Sequence, residues 1–154
     1  MNAVDSRTVR MQALHFAAIG LACGLRSTVG PAGALLTRSR GKPTFGNAAA
    51  AAALVVPEFI ADKLPQTPSR LSPPGLAVRL AAGGTGAFVL AKRERAGRAS
   101  AAVTGALGAA AGSFGGYRWR QWAGGHMPDW QAALAEDAIA LSLAIAAFRD
   151  GGRS

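Results

Sequence analysis

The stretch ASAAVTGALGAAAGSFGGY, residues 99–117, contains no charged residue and consists almost entirely of small and apolar side chains. A helix that crosses a bilayer needs about 20 such residues. Glycines recur every fourth position at Gly108, Gly112 and Gly116. In water, each glycine inside a helix costs about 1 kcal/mol relative to alanine, whereas in lipid small residues let helix backbones approach closely. The stretch therefore predicts a membrane helix that packs through its glycines.

Four further apolar runs surround this stretch along the chain. They cover residues 13–36, 45–61, 76–91 and 130–148, and the runs 45–61 and 76–91 are short for a span. Gly20 and Gly24 repeat the four-residue spacing in the first run. The patterns together predict an all-α fold, a polytopic membrane bundle of four to five short helices rich in alanine and glycine.

The composition argues against a typical soluble domain and against a disulfide-rich protein. The chain has 154 residues, and only 16% are charged, against about 25% in typical soluble domains. A single cysteine excludes a disulfide framework. We expect one membrane domain at 11–148, with a polar N-terminal tail at 1–10 and a C-terminal tail at 149–154.

The net charge of +9 raises two alternatives, a nucleic-acid partner or a membrane protein with basic loops. The basic residues fall between the apolar runs and no nucleic-acid-binding motif accompanies them, so we expect contact with a lipid bilayer and no nucleic acid. If all five runs span, nine basic residues share the side of the C-terminus. Six share the side of the N-terminus: Arg7, Arg10, Lys63, Arg70, Arg118 and Arg120. The positive-inside rule then predicts an outside N-terminus in the inner (plasma) membrane.

Three tryptophans lie close together in the sequence and indicate a boundary between membrane and water. Segment 118–129 contains Trp119 and Trp122 and is followed by Trp130. Tryptophan is enriched where a membrane meets water. The segment is therefore predicted to be interfacial, and ordinary packing under a loop is the alternative.

Charged residues inside the apolar runs are the candidate functional groups, because an ionisable side chain at membrane depth is costly. If all five runs span, one leaflet contains five of these charged residues, and Arg26 lies deeper. The five are Glu58, Asp62, Arg79, Glu136 and Asp137. The candidate ion or ligand groups are Glu58, Asp62, Glu136 and Asp137, and the charge partners are Arg26 and Arg79. Two interpretations stay open: a cation or proton site, or a salt-bridge network that orients the helices.

Sequence motifs of enzymes are missing from the chain. It has no phosphate-binding GxxxxGK[ST] loop and no GxSxG motif. His15 and His126 lack a second ligand at metal-binding spacing. We therefore expect no enzyme, no cofactor and no metal.

A weak internal repeat is the last pattern in the sequence. Residues 24–26 (Gly-Leu-Arg) are echoed by residues 116–118 (Gly-Tyr-Arg), and Glu58 by Glu136, each after a small residue or proline. Many transporters contain such repeats.

Several blocks resemble a known family. They are the block from Glu58 through Asp62-Lys63 to Pro65, the following Thr67-Pro68-Ser69-Arg70, Arg79 with Gly83, residues 24–27, residues 116–118, and residues 136–138. Together they are similar to small bacterial integral membrane proteins of the domain-of-unknown-function family 4126. The resemblance covers residues 11–148. It implies a membrane location and a helical fold, and no reaction.

The leading functional hypothesis is a transporter-like protein for a small ion or solute, which we expect to form a homodimer. The alternative is a non-catalytic structural or assembly subunit. In that case the helix at 99–117 docks a second membrane helix through Gly108 and Gly112.

Overall fold

The computed structural model describes residues 3–29, 32–33, 45–46 and 71–150. Within these ranges the chain forms four α-helices and no strand, which confirms the all-α prediction. The helices are α1 (Ala3–Leu25), α2 (Pro73–Arg93), α3 (Arg98–Ala123) and α4 (Asp129–Asp150). Most of the run 45–61 lies outside the described residues, so the fifth helix stays a prediction.

Helix α1 ends at Leu25, earlier than the run 13–36 predicted. The Arg26 N–H still bonds to the Ala22 carbonyl at 2.8 Å, and the backbone then turns at residues 27–28. At its other end the helix begins at Ala3, so the predicted polar tail is largely helical. Arg26 thus lies just after a helix and not in the middle of one.

The four described helices alternate in direction. Gly20 faces Gly105 and Gly24 faces Gly112, so α1 and α3 run parallel. Gly83 faces Ala109, while Gly105 faces Ala87, so α2 runs antiparallel to α3. Helix α4 begins beside the end of α3, where the Trp119 indole N–H donates to the Ala132 carbonyl at 3.3 Å.

The bundle consequently has two distinct ends. The tryptophan end comprises the C-terminal ends of α1 and α3 and the N-terminal ends of α2 and α4, with Trp119, Trp122 and Trp130. The basic end comprises the first half of α1 and residues 92–98. They are held together because Gln12 donates to the Glu94 carbonyl at 3.1 Å and His15 contacts the Glu94 carboxylate at 2.9 Å.

This arrangement corrects the predicted sidedness. With five spans, Arg7 and Arg10 were expected on the side opposite segment 92–98. In the structure, Gln12 and His15 contact Glu94, so the start of α1 lies at the same end as that segment. The reason is that α1 ends beside the start of α2, and residues 26 and 72 therefore lie at the same end.

Local sequence signals explain where α2 begins and ends. Pro73 and Pro74 occupy its first turn, where the missing N–H groups have no helical partner in any case. At its C-terminus the Glu94 N–H bonds to the Leu90 carbonyl and the Ala96 N–H to the Ala91 carbonyl. This is a Schellman motif, in which Arg95 takes the left-handed position with φ of 52°.

Small residues form the interior and large apolar residues lie outside. The buried positions of α3 are Ala101, Gly105, Gly108, Ala109, Gly112, Ser113, Gly116 and Ala123. The exposed large side chains of α3 and α4 are Val103, Leu107, Phe114, Tyr117, Trp122, Trp130, Leu134, Ile139, Leu141 and Ile145. A surface of this kind suits lipid, because lipid leaves no hydrophobic force to drive large side chains inward.

Three of the described helices are long and apolar enough to cross a membrane. They are Ser6–Leu25 in α1, Pro73–Arg93 and Asp129–Phe148. The stretch 99–117 does not join them, although it carries no charge, because glycine and alanine make it less apolar than the other three.

Glycines determine how closely α3 approaches its neighbours. A Cβ at Gly20 would overlap the Gly105 carbonyl oxygen, and one at Gly108 would lie 2.7 Å from the Ala17 carbonyl oxygen. A Cβ at Gly24 would lie 2.8 Å from the Gly112 Cα. The glycines therefore pack against helices of the same chain. Gly108 and Gly112 are thus not available to dock a partner helix in the way the assembly hypothesis expects.

Candidate functional site

A buried ion pair joins the end of α1 to α4. The Arg26 Nε lies 2.5 Å from Asp137 Oδ1, and the two residues are 7% and 9% exposed. Arg26 reaches this position because it directly follows the last helical residue of α1. Asp137 lies in the third turn of α4, close enough to the tryptophan end to meet it.

Arg79 stabilises the same corner from α2. Its Nη1 donates to the carbonyl oxygens of Gly24 at 2.8 Å and Leu25 at 3.0 Å. The last carbonyls of a helix lack intrahelical partners and carry partial negative charge. The Arg79 guanidinium supplies the missing donor and an opposite charge. The Ser113 hydroxyl of α3 also donates to the Gly24 carbonyl, at 3.3 Å. The end of α1 is therefore contacted by α2 through Arg79 and by α3 through Ser113, in addition to the contact of Arg26 with α4.

Glu136, the neighbour of Asp137, is 1% exposed and pairs with α3. Arg120 Nε donates to Glu136 Oε2 at 3.0 Å, and Arg120 Nη1 donates to Asp129 Oδ1 at 2.6 Å. Arg120 thus bridges two carboxylates of α4, and its guanidinium lies beside the buried Glu136 carboxylate.

We refer to these residues as the polar cluster: Arg26, Arg79, Ser113, Arg120, Glu136 and Asp137. Asp129 lies at its rim, because its side chain is 85% exposed. Four predicted site residues, Arg26, Arg79, Glu136 and Asp137, come together here. Glu58 and Asp62 lie outside the described residues.

Sequence reasoning missed Arg120, which it assigned to the interfacial segment 118–129. The signal that could have found it is the neighbouring acidic residue in α4, because a buried Glu136 needs a cation. The predicted equivalent of Arg26 in the internal repeat was Arg118, which is exposed. The repeat is not confirmed.

One acceptor of the polar cluster lacks a partner. Asp137 Oδ1 is bound by Arg26, whereas Asp137 Oδ2 is buried and has no hydrogen-bond partner among the described residues. Buried polar atoms are nearly always satisfied by protein or water. The unpaired oxygen is therefore the atom of the cluster that can accept a hydrogen bond or bind a cation.

A second buried polar group lies at the basic end, and the sequence did not point to it. The Glu94 side chain is 1% exposed and contacts His15 Nδ1 at 2.9 Å through Oε1. Glu94 Oε2 is buried without a partner among the described residues. The pair connects α1 to the turn after α2.

The chemistry of the polar cluster is that of charge pairing. Its charged groups are three arginines and two carboxylates, with Asp129 as a third carboxylate at the rim. Among the described residues, no group of three or more histidine, cysteine, aspartate or glutamate side chains could hold a metal ion. The arrangement can bind and orient a small polar species by hydrogen bonds and charge.

Comparison of the chain with protein-family models, curated proteins and solved structures found no match. The resemblance to the domain-of-unknown-function family 4126 therefore stays a prediction from motifs.

Proposed function

We propose that this protein is a small multi-pass membrane protein whose polar cluster binds a small ion or solute for transport. The observation that carries the proposal is the Arg26–Asp137 pair, whose side chains are only 8% and 12% exposed. A buried ion pair is weak as a source of stability, because the desolvation of two charges offsets their attraction. Charged groups at membrane depth usually belong to ion or substrate pathways.

The surroundings of the pair support a membrane setting. Large apolar side chains cover the outside of the helices while alanine and glycine fill the inside. Such packing is expected where lipid is the solvent. The exposed Trp122 and Trp130 lie at one end, which agrees with a headgroup boundary there.

The basic end is the cytoplasmic end in this proposal. Its cations lie around one turn and one helix start: Arg7, Arg10, Lys92, Arg93, Arg95 and Arg98. Its buried acid, Glu94, is already paired with His15. The positive-inside rule then orients the N-terminus toward the cytoplasm of a bacterial inner membrane. This reverses the orientation expected from five spans.

The roles of the residues follow from their partners. Asp137 and Glu136 are the ligand-binding carboxylates, and Arg26 and Arg79 are their charge partners or hold the end of α1 in place. Glu58 and Asp62 stay predicted ligands. We propose four to five spans, with α3 enclosed by its neighbours, and a homodimer that completes the path. The chain has no catalytic role and no cofactor in this proposal.

A transport assay tests the proposal directly. The purified protein is reconstituted into liposomes, and currents on a solid-supported membrane are recorded after jumps of sodium, potassium, proton, chloride or methylammonium concentration. We expect a protein-dependent current for at least one of them, reduced tenfold or more by Glu136→Gln. Gly115→Ala is the matched control, because Gly115 is exposed and a Cβ there meets no atom within 4 Å.

Two results would contradict the proposal. One is the absence of any protein-dependent current for all five species in vesicles where the protein is folded. The other is a current that Glu136→Gln and Arg26→Gln leave unchanged, because the polar cluster would then have no part in it.

A further inference from the structure

Every arginine of the polar cluster already has acceptors within the chain. Arg26 donates to Asp137 Oδ1, and Arg79 donates to the carbonyls of Gly24 and Leu25. Arg120 donates to Glu136 and to Asp129. No buried nitrogen of these three guanidinium groups lacks a hydrogen-bond partner, so an anion would meet no unpaired buried donor in the cluster.

The carboxylate of Asp137 is different. Its Oδ2 is buried, and no donor among the described residues reaches it. A carboxylate oxygen only accepts hydrogen bonds, so its missing partner must be a donor or a positive charge. An unsatisfied buried acceptor is costly, and a charged one more so. Asp137 Oδ2 is therefore the atom of the cluster at which a hydrogen-bond donor or a cation is favoured and an anion is not.

We infer that the ligand of the polar cluster is a small cation, an alkali ion or an ammonium-type group, held by Asp137 Oδ2. The inference rests on the proposed function and names the class of its substrate. The carboxylate would bridge two positive charges, with Arg26 on Oδ1 and the ligand on Oδ2. The neighbouring Glu136 carboxylate lies on the same turn of α4 and is paired with Arg120.

Equilibrium binding separates this inference from the alternatives. Thermal unfolding of the purified protein in detergent is followed in sodium, potassium or methylammonium chloride, each against choline chloride of equal ionic strength. Choline serves as the reference because its quaternary ammonium has no N–H donor and keeps its charge farther from an oxygen than the three small cations do. We expect a saturable rise of Tm for at least one small cation, about 5 °C when it is present at about 100 times its Kd.

Variants assign the effect to one atom. Asp137→Asn keeps an oxygen for Arg26 but replaces the other oxygen by an N–H donor, so we expect the cation-dependent rise to disappear. Asp129→Asn removes an exposed carboxylate at the rim and should keep the rise. If Asp137→Asn does not fold, Asp137→Glu moves the carboxylate by one methylene and should weaken the apparent affinity tenfold or more.

Three outcomes would overturn the inference. The first is no Tm rise with any of the three cations, which would mean that water satisfies Asp137 Oδ2. The second is a rise that Asp137→Asn or Asp137→Glu leaves unchanged. The third is a saturable rise of Tm when the chloride of the choline salt is replaced by inorganic phosphate, if Arg26→Gln removes that rise. The ligand would then be an anion.

The two proposals can fail separately. Cation binding without any current in liposomes contradicts transport and leaves this inference intact. A chloride current that Asp137→Asn does not affect contradicts this inference and leaves transport intact.

Discussion

Arg26 and Asp137 are 111 residues apart in the chain, yet the Arg26 Nε lies 2.5 Å from Asp137 Oδ1 in the buried corner between α1 and α4. Both side chains are largely shielded from solvent. Because both charges lie largely away from water, each is stabilised by the opposite charge of the other.

Removing one partner of this pair should destabilise the fold more than removing both. Arg26→Gln or Asp137→Asn alone is expected to lower the free energy of unfolding by about 3–5 kcal/mol, because the remaining charge is buried without its partner. The double variant should lose less than either single variant. Reversible unfolding in mixed detergent micelles measures each corner of the cycle. Asp129→Asn is the matched control, with an expected loss of about 0.2–1 kcal/mol for an exposed pair; equal losses at Asp129 and Asp137 would contradict the prediction.

Two glycines of the same helix should respond oppositely to one added methyl group. Gly105→Ala would place its Cβ against the Gly83 carbonyl oxygen and the Ala87 Cβ, and we expect a loss of about 1–3 kcal/mol from overpacking. Gly115→Ala meets nothing within 4 Å and should leave stability unchanged or raise it. The same unfolding assay compares them. A tolerated Gly105→Ala would mean that α3 does not lie this close to α2.

Replacing Arg95 by glycine should raise the stability of the fold, although glycine usually lowers the stability of a helical protein. Its φ of 52° is unfavourable for a residue with a side chain, and Arg95→Gly is expected to stabilise the fold by about 1 kcal/mol. Arg118→Gly, which removes an equal charge from the interior of α3, should instead cost about 1 kcal/mol. Thermal unfolding of both variants gives the two signs. If both changes destabilise, the Schellman end of α2 is not formed.

The two histidines should differ in their contribution to stability. His15→Ala removes the contact to the buried Glu94 carboxylate and should cost about 1–3 kcal/mol. His126 is exposed and stacks on Trp122 with ring centroids 4.6 Å apart. His126→Ala should therefore cost less than about 0.5 kcal/mol. Similar losses for both would argue against a structural bond between α1 and the turn after α2.

The two ends of the bundle should be labelled from opposite sides of the membrane. A cysteine at Arg7 or Arg98 is expected to react with a membrane-impermeant maleimide only when the cytoplasmic face is accessible, and a cysteine at Arg118 only from outside. Cys23, the only natural cysteine, is buried in the core and supplies an unreactive background. Labelling in intact cells and in inverted vesicles measures this. Arg7 and Arg118 labelled from the same side would restore the orientation expected from five spans.

Helix content and membrane character could be predicted from sequence because they depend on local composition. Long uncharged or nearly uncharged runs predicted α2 and α4 well, and the prolines at 73 and 74 lie in the first turn of α2. The first run misled, because apolar composition continues beyond Leu25 while the helix does not. Composition reports whether a segment is apolar, and a turn within an apolar segment leaves that signal unchanged.

For the polar cluster, the sequence determined which residues are costly to bury: Arg26, Arg79, Glu136 and Asp137 stand out because charges are rare in apolar runs. Tertiary structure alone decided their partners. Arg26 meets Asp137, Arg79 meets the carbonyl groups at the end of α1, and Glu136 meets Arg120. Hydropathy is a property of each segment by itself, whereas an ion pair depends on which helices lie side by side and in which direction. Here that arrangement depends on glycines that let α1 and α2 approach α3, so the long-range packing of small residues places the charges.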